Sequence, residues 1–191
     1  MKELSLPVKI WKHFCLVNKH RWYVFRLSIK AGIPWRGLLH DLSKYSPTEF
    51  FESVKYYNGK RSPLHVCRED KGYSLSWLHH KGRNKHHFEY WEDISKTQRF
   101  PVFLPYQYIV EAVCDKIAAG MVYNGKDWNQ KEPFEYWTNI EKPGPVLKHP
   151  ATIEFMDSVL KKIADDGLDA GLNPKYLKKM YADVSNKYSK K

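Results

Sequence analysis

The residues best suited to chemistry are histidines and aspartates, and two of them are adjacent. His40 and Asp41 directly follow the apolar pair Leu38-Leu39. A charged or strongly polar side chain in an apolar interior costs several kcal/mol unless it is paired or coordinates a metal. The adjacent imidazole and carboxylate groups therefore predict a metal site at this position.

Further groups of the same chemical kind precede and follow this pair. His20 lies twenty residues before His40, and two histidine doublets and Asp115 lie after it. We predict that both doublets contribute ligands and that His79 is structural. The predicted metal ligands are His20, His40, Asp41, His80, His86, His87 and Asp115. Imidazole and carboxylate ligands without thiolate suit Mn, Fe, Co, Ni or Zn, with one or two ions bound.

Each of these residues also has an ordinary structural interpretation. A lone histidine such as His20 is typical of a hydrogen-bonded core side chain. Asp115 can form an ion pair with Lys116, and Asp41 can cap the turn at Ser43. Four such groups on separate helices seldom arise from unrelated structural needs, so the metal site is the stronger interpretation.

Hydrophobic periodicity predicts the helices that position these ligands. Over residues 6–29 apolar residues recur at steps of three, four and seven, and His20 lies on the same stripe. Residues 35–42, with the adjacent ligand pair at their end, are predicted to form a short buried helix. Ser46-Pro47-Thr48-Glu49 is typical of an N-cap, a first-turn proline and a capping glutamate, which begin a helix over residues 47–57.

The rest of the chain is also predicted to be helical or irregular. Residues 58–71 are rich in Gly, Lys, Arg, Pro and Asp, which predicts a surface loop and a candidate lid. No strand pattern is evident, so the predicted fold class is all-α. Further helices are predicted over residues 73–80 and 86–96, around Asp115, over residues 150–165 and after the Asn173-Pro174 cap.

Length and composition predict one globular domain. The chain has 191 residues, of which 15% are aromatic, enough to bury a full core. We expect residues 1–125 to form a metal-binding helical core, with residues 126–191 as a C-terminal helical extension packed on the same domain and ending in a basic tail. No apolar run approaches the roughly 20 residues that span a bilayer, and no secretory signal is recognised, so a cytoplasmic protein without membrane contact is expected.

The three cysteines carry no pairing pattern. Cys15, Cys67 and Cys114 are far apart and form no CxxC pair. This spacing predicts neither a disulfide framework nor a cysteine zinc site. We expect all three to be small buried side chains.

The formal net charge of +11 indicates anionic partners. Excess positive charge raises the local concentration of nucleotides, phosphorylated metabolites or nucleic acid around a protein. The expected substrate is an anionic small molecule such as a nucleotide, and nucleic acid binding through the Lys-rich tail is the alternative. A homodimer is expected only because symmetric dimers are common among soluble proteins.

The order of the ligand residues resembles that of the HD-domain superfamily of metal-dependent phosphohydrolases. The resemblance covers residues 13–125 and lies in His20-Arg21-Trp22-Tyr23-Val24, in Leu38-Leu39-His40-Asp41-Leu42-Ser43-Lys44 and in Cys114-Asp115-Lys116-Ile117-Ala118. Residues 40–47 and 77–91 are more closely similar to a bacterial and phage family of unknown function, DUF5662, and this similarity continues to residues 147–150. Together these resemblances imply an HD-like helical bundle.

The HD-domain resemblance implies a hydrolase that acts on a nucleotide or a related phosphomonoester or phosphodiester. In such a site Asp41 orients or deprotonates the attacking water, and Lys44 donates to the phosphoryl oxygens. The predicted substrate-binding residues are Lys44, Arg83, Asn84, Lys81 and Arg21. Two alternatives stay open: an HD-type di-iron oxygenase acting on a small molecule, and a non-catalytic, metal-stabilised protein that binds nucleic acid or another partner.

Overall fold

The structure, a computed structural model, describes residues 4–59 and 61–189 and confirms the all-α fold class. Within these residues the helices are α1 (Leu6–Lys30), α2 (Pro34–Leu39), α3 (Pro47–Lys55), α4 (Pro63–Lys71), α5 (Leu75–Arg83), α6 (Tyr106–Asn124), α7 (Glu132–Tyr136), α8 (Pro150–Asp166), α9 (Leu168–Gly171) and α10 (Pro174–Tyr188). Short 3-10 turns cover Leu42–Tyr45, Phe88–Trp91 and Gly125–Asp127, and a π-helical turn covers Trp137–Glu141.

Helix α1 carries the apolar stripe that its periodicity predicts. Its buried positions include Val17, Val24 and Leu27, and His13 and His20 lie on the same face. A proline near the first turn suits the helix start, because the missing N–H of proline would have no partner there. No helix in the described part of the chain is both long enough and apolar enough to cross a bilayer.

Helix α6 is the centre of the core and carries two acidic side chains into it. Ile109, Val113 and Ile117 are fully buried on this helix, and Glu111 lies among them. The same hydrophobic cluster includes residues of α8 and α10, such as Phe155. Residues on both sides of position 125 therefore share one core, while the boundary itself stays a prediction.

The segment of the His40-Asp41 pair differs from the predicted buried helix. Helix α2 ends at Leu39, and Asp41 has φ 53° in the left-handed region before the 3-10 turn begins. Leu38 and Leu39 are about half exposed, so the apolar pair does not face the core. Aspartate tolerates this conformation because its short polar side chain can bond locally. The turn, rather than a helix, directs the ligand pair inward.

The predicted loop over residues 58–71 is wrong for most of its length. Residues Pro63–Lys71 form α4, with proline in the first turn and Gly72 at φ 78° after the last. Cys67 is buried beneath this helix. The charged composition hid an N-terminal proline and C-terminal glycine pattern that is itself typical of a helix. The start of α4 is therefore helical and not part of a loop.

The helix predicted over residues 86–96 is also wrong. After the 3-10 turn, a two-stranded antiparallel hairpin pairs β1 (Glu92–Ile94) with β2 (Arg99–Pro101), with Asp93 opposite Phe100. Each strand is three residues long, too short to show the alternation that marks a strand. The prediction that the chain has no strand fails at this hairpin, without changing the fold class.

The helix start predicted at Asn173 is confirmed, and His149 caps the start of α8. Asn173 accepts hydrogen bonds from the first backbone N–H groups of α10, and His149 Nδ1 accepts from Ala151 N–H at the start of α8.

All three cysteines are unpaired. Cys67 and Cys114 are buried as predicted, whereas Cys15 is exposed. The exposed position lies outside the apolar stripe of α1.

Candidate metal centre

Four of the predicted ligands meet where α1, α6 and the turn after α2 converge. His20 Nε2 lies 3.0 Å from Asp115 Oδ1, and His40 Nε2 lies 3.2 Å from Asp41 Oδ2. One ligand atom from each of the four residues lies within 4.8 Å of the others. His40 and Asp41 are almost completely buried, while the Asp115 side chain keeps 22% of its surface exposed. The first cluster is therefore partly exposed to solvent at Asp115.

A second cluster forms beside the first from α5 and the segment after it. Its members are Asp41, His80, His86 and His87, whose ligand atoms also lie within 4.8 Å of one another. His80 Nε2 lies 3.3 Å from Asp41 Oδ1, and His86 Nε2 lies 3.6 Å from the same oxygen. The structure thus brings together every residue that the sequence predicts as a metal ligand.

Asp41 joins the two clusters through its two carboxylate oxygens. Oδ2 faces His40 of the first cluster, and Oδ1 faces His80 and His86 of the second. Asp115 is divided in the same way, with Oδ1 towards His20 and Oδ2 3.7 Å from His86 Nε2. Carboxylates that direct one oxygen to each of two neighbouring positions are the arrangement needed to bridge a pair of ions.

Some buried polar atoms in these clusters have no hydrogen-bond partner among the described residues, and they indicate whether a metal ion fits there. Asp41 Oδ1, His86 Nε2 and His87 Nε2 are buried, and no hydrogen-bond partner for them occurs among the described residues. A buried donor or acceptor left unsatisfied costs about 1–3 kcal/mol. All three atoms belong to the second cluster, so an ion bound there would satisfy them together. The residues present therefore fit a metal at the second cluster, and the first cluster offers the same types of ligand.

Glu111 supports two of the ligand histidines from behind. Its Oε1 accepts from His40 Nδ1 at 3.0 Å and lies 3.4 Å from His86 Nδ1. Its Oε2 is held by Arg36 at 2.6 Å. A hydrogen bond at Nδ1 orients the imidazole and leaves Nε2 for a metal. His40, His86 and Glu111 also have ligand atoms within 4.8 Å of one another, but the Arg36 cation opposes an ion there, so we interpret Glu111 as a support.

Glu49 bonds to both histidines of the doublet His79-His80, in the way that Glu111 bonds to His40. Its carboxylate accepts from His79 Nδ1 at 2.6 Å and from His80 Nδ1 at 2.7 Å. The predicted N-cap is confirmed, since the Ser46 hydroxyl accepts from the Glu49 N–H, but the Glu49 side chain turns inward instead of capping. The sequence signal at Glu49 is its capping-box position, which predicts a helix-capping side chain and not a partner of the histidines. His79 belongs to none of the ligand groups, consistent with a structural role.

The electrostatics of the first cluster favour ionised carboxylates. Burial alone would raise the pKa of Asp41 and Asp115. The surrounding histidines hold the pKa of both well below the ordinary value, and Lys44 adds to this effect at Asp41. Burial lowers the pKa of His20, whereas the neighbouring carboxylates raise that of His40 well above its usual range despite its burial. A proton on His40 therefore has to leave before Nε2 can bind a metal.

Comparison with known protein families identifies the chain. The model of DUF5662, a family of unknown function, matches residues 9–162. The chain belongs to this family. The matched residues include both clusters, Glu49 and Glu111. No curated protein and no solved structure matches the chain.

The two clusters of this DUF5662 protein form one end of a pocket. The cavity has a volume of about 220 Å³ and is bordered by His20, Asp41, His80, His87 and Asp115. Lys44 is the one lysine or arginine among the described lining residues, and its Nζ lies 2.7 Å from Asp41 Oδ2. Burial would lower the pKa of Lys44, but the Asp41 and Asp115 carboxylates raise it, so the side chain stays cationic.

The other predicted substrate-binding residues of the DUF5662 chain lie outside the pocket lining. Arg21 donates to the carbonyl oxygens of His40 and Leu38 and so fixes the ligand turn. Asn84 donates to the Ser43 hydroxyl at 2.7 Å and packs beside His80. Lys81 and Arg83 do not line the cavity either. Of the five predicted residues, the structure brings Lys44 alone to the pocket.

Proposed function

We propose that this DUF5662 protein is a metal-dependent phosphohydrolase with a two-ion centre. Its resemblance to the HD-domain superfamily implies a nucleotide or a related phosphomonoester or phosphodiester as substrate, and we propose a phosphomonoester. The observation that carries the proposal is the position of Asp41. Its two oxygens face two separate histidine clusters, and Lys44 lies beside it at the wall of a pocket. This combination places ligands for metal ions and a fixed cation around one small volume.

The chain offers a distinct ligand set for each ion. His20, His40, Asp41 and Asp115 would hold the first, and Asp41, His80, His86 and His87 would hold the second. When bound, such ions make a nucleophile available at neutral pH and stabilise charge on the phosphoryl oxygens. The set contains imidazole and carboxylate groups only, which suits Mn, Fe, Co, Ni or Zn.

The protein side chains have their own roles in the proposed hydrolysis. The HD-domain resemblance gives the role of orienting the attacking water to Asp41, but the Asp41 side chain is only 1% exposed, whereas that of Asp115 is 22% exposed. We therefore assign this role to Asp115, whose pKa, despite burial, is held well below the ordinary value by the neighbouring histidines, so that it stays ionised and accepts a hydrogen bond from the water. Lys44 is a fixed donor at the pocket wall for the oxygens on which negative charge develops. His13, Trp77 and the start of α4 line the remainder of the pocket.

Metal removal tests the proposed hydrolysis directly. We expect verified chelation to abolish phosphate release from a panel of phosphomonoesters, and added Mn²⁺ or Co²⁺ to restore it, because the nucleophile depends on the bound ion. The measurement is inorganic phosphate against time, with metal content determined on the same samples. Phosphate release that persists in metal-free protein would exclude this function.

One observation also supports a di-iron oxygenase as the second candidate. Five histidines and two aspartates, of which Asp41 is shared, surround the two positions, and imidazole with carboxylate suits iron as well as the hydrolytic metals. The iron-loaded protein would then consume oxygen in the presence of a small-molecule substrate and release no phosphate. An oxygen electrode and a phosphate assay on the same preparation distinguish the two candidates.

The nucleic-acid alternative gains little from the C-terminal helix. Lys179 of α10 pairs with Asp183 at 2.8 Å, and Lys187 pairs with Glu154 at 2.6 Å. These ion pairs neutralise part of the charge that motivated the alternative. Because counterion release depends on unpaired cations meeting phosphates, the paired lysines contribute less to such binding.

A further inference from the structure

The pocket continues beyond the two clusters into a chamber between α1, α3, α4 and α5. We call this region the inner chamber and define it by His13, Leu16, Ser53, Leu64, Ser76 and Trp77, all of which line the cavity. None of these six residues belongs to a ligand group. The inner chamber is therefore distinct from the metal centre. None of its six residues carries a formal charge while His13 is neutral, and the Glu49 carboxylate, which also lines the cavity, is bonded to His79 and His80.

His13 is the one imidazole of the inner chamber, and it is held in place by aromatic rings. Its ring centroid lies 5.2 Å from that of Phe50 and 6.0 Å from that of Tyr57. The residue is 6% exposed. Nδ1 is buried, and it has no hydrogen-bond partner among the described residues. An unpaired buried ring nitrogen is costly. Because Nδ1 has almost no accessible surface, the imidazole ring has to turn towards the cavity before a ligand can bond to it and recover that cost.

The position of His13 along α1 sets the length of a matching ligand. His13 precedes His20 by seven residues on the same buried face. Two helical turns place it roughly 10 Å further along the axis, since each residue rises about 1.5 Å. A phosphate at the clusters and a hydrogen-bonding group at His13 would thus be joined by one ring-sized unit.

Charge and volume limit the ligand further. Lys44 is the one lysine or arginine in the described lining, while Asp41, Asp115 and Glu49 are acidic, so a second phosphate group would meet no free cation. The cavity of about 220 Å³ is smaller than the roughly 300–1,000 Å³ of pockets that hold drug-sized ligands. Burial and the Lys44 charge lower the pKa of His13 to about 4, which leaves its imidazole neutral near pH 7.

We propose that the inner chamber binds the organic part of the substrate, a single uncharged ring that bears a hydrogen-bonding group, and that His13 recognises that group. The substrate class is then a one-ring monophosphate ester, and di- and triphosphates are excluded. This inference rests on the proposed hydrolysis. His13 is a specificity-determining residue that bonds to the ring substituent and takes no part in the bond cleavage at phosphorus.

The test compares two esters that differ at one end. Phenyl phosphate fills the chamber without bonding to His13, whereas 4-nitrophenyl phosphate adds acceptor oxygens at the far end of the ring. We expect His13→Phe to lower the ratio of kcat/KM for the nitro ester over the phenyl ester by roughly tenfold, through KM, because one hydrogen bond is lost. His13→Gln, which retains a donor and an acceptor, should restore part of the ratio.

Matched controls and binding measurements separate the outcomes. His65→Phe alters an exposed histidine outside the pocket and should leave the ratio unchanged. Two results would overturn the inference while the hydrolase proposal stands. One is an unchanged ratio in both His13 variants, and the other is faster hydrolysis of nucleoside di- or triphosphates than of one-ring esters. If no ester is hydrolysed, calorimetry with phenylphosphonate and 4-nitrophenylphosphonate decides. His13-dependent binding then supports the chamber and rejects the hydrolase, and His13-independent or absent binding rejects both.

Discussion

The Asp41→Asn variant is expected to release phosphate about 10³-fold more slowly than the wild-type protein. Asparagine has the same shape, but its amide nitrogen cannot bind a metal ion, so one of the two clusters loses its shared oxygen. The variant also removes the negative charge that pairs with Lys44. The measurement is kcat with a one-ring ester at saturating metal, together with metal content per chain.

Asparagine is the appropriate replacement because of the backbone at this position. Asp41 has φ 53°, a conformation that asparagine adopts more readily than most residues. A loss of activity in a folded variant therefore reports on the carboxylate and not on the turn. Asp127→Asn, which changes an exposed aspartate that does not line the pocket, is the matched control and should retain full activity. Wild-type turnover and metal content in Asp41→Asn would show that Asp41 bridges nothing.

The Glu111→Gln variant is expected to weaken metal binding by about 10–100-fold. Glu111 accepts from His40 Nδ1 and so orients this ligand of the first cluster, and it lies 3.4 Å from His86 Nδ1, a ligand of the second, without a hydrogen bond to it. A neutral amide orients these rings less firmly and leaves Arg36 without its carboxylate partner. Metal affinity is measured by competition with a chelating dye, and activity by titration with added metal.

Recovery by excess metal distinguishes positioning from a general loss of structure. We expect Glu111→Gln to regain most of its kcat at high metal concentration, since the ligands themselves are intact. Glu135→Gln replaces an exposed glutamate and serves as the control. Unchanged metal affinity in Glu111→Gln would contradict the positioning role, as would a loss of activity that excess metal does not reverse.

The elements that were predictable are those with local signals. The stripe of α1 and the pattern around Asp115 depend on spacings of three and four residues within one helix, which the sequence displays directly. The ligand types were recognisable because buried imidazole and carboxylate groups are costly without a partner. Clustering of these groups follows once the helices pack, and the sequence shows only their order.

The residues that were missed act across elements. Glu111 lies one helical turn before Asp115, so the two share a face of α6, and this spacing was the available signal. Glu49 fits a capping box equally well, and only the packing of α3 against α5 shows that its side chain turns towards the histidines. His13 needs the position of Phe50 to become a buried, unpaired group.

Two of the predicted substrate-binding residues are arginines that lie near ligand residues in the sequence but outside the pocket in the structure. Arg21 and Arg83 neighbour ligand residues along the chain, yet Arg21 bonds to backbone carbonyls behind the turn and Arg83 is exposed outside the pocket. Successive residues on a helix point in different directions, about 100° apart for 3.6 residues per turn. Adjacency to a ligand therefore does not place a side chain in the site.

The number and spacing of bound ions test the central claim most directly. Protein freed of metal and reloaded with Mn²⁺ would be measured for metal content and for anomalous scattering in crystals. We expect two ions per chain, about 3.5–4 Å apart, with Asp41 between them. A single ion held by His20, His40, Asp41 and Asp115, with His80, His86 and His87 left free, would contradict the two-ion centre, and no bound ion would contradict a metal site altogether.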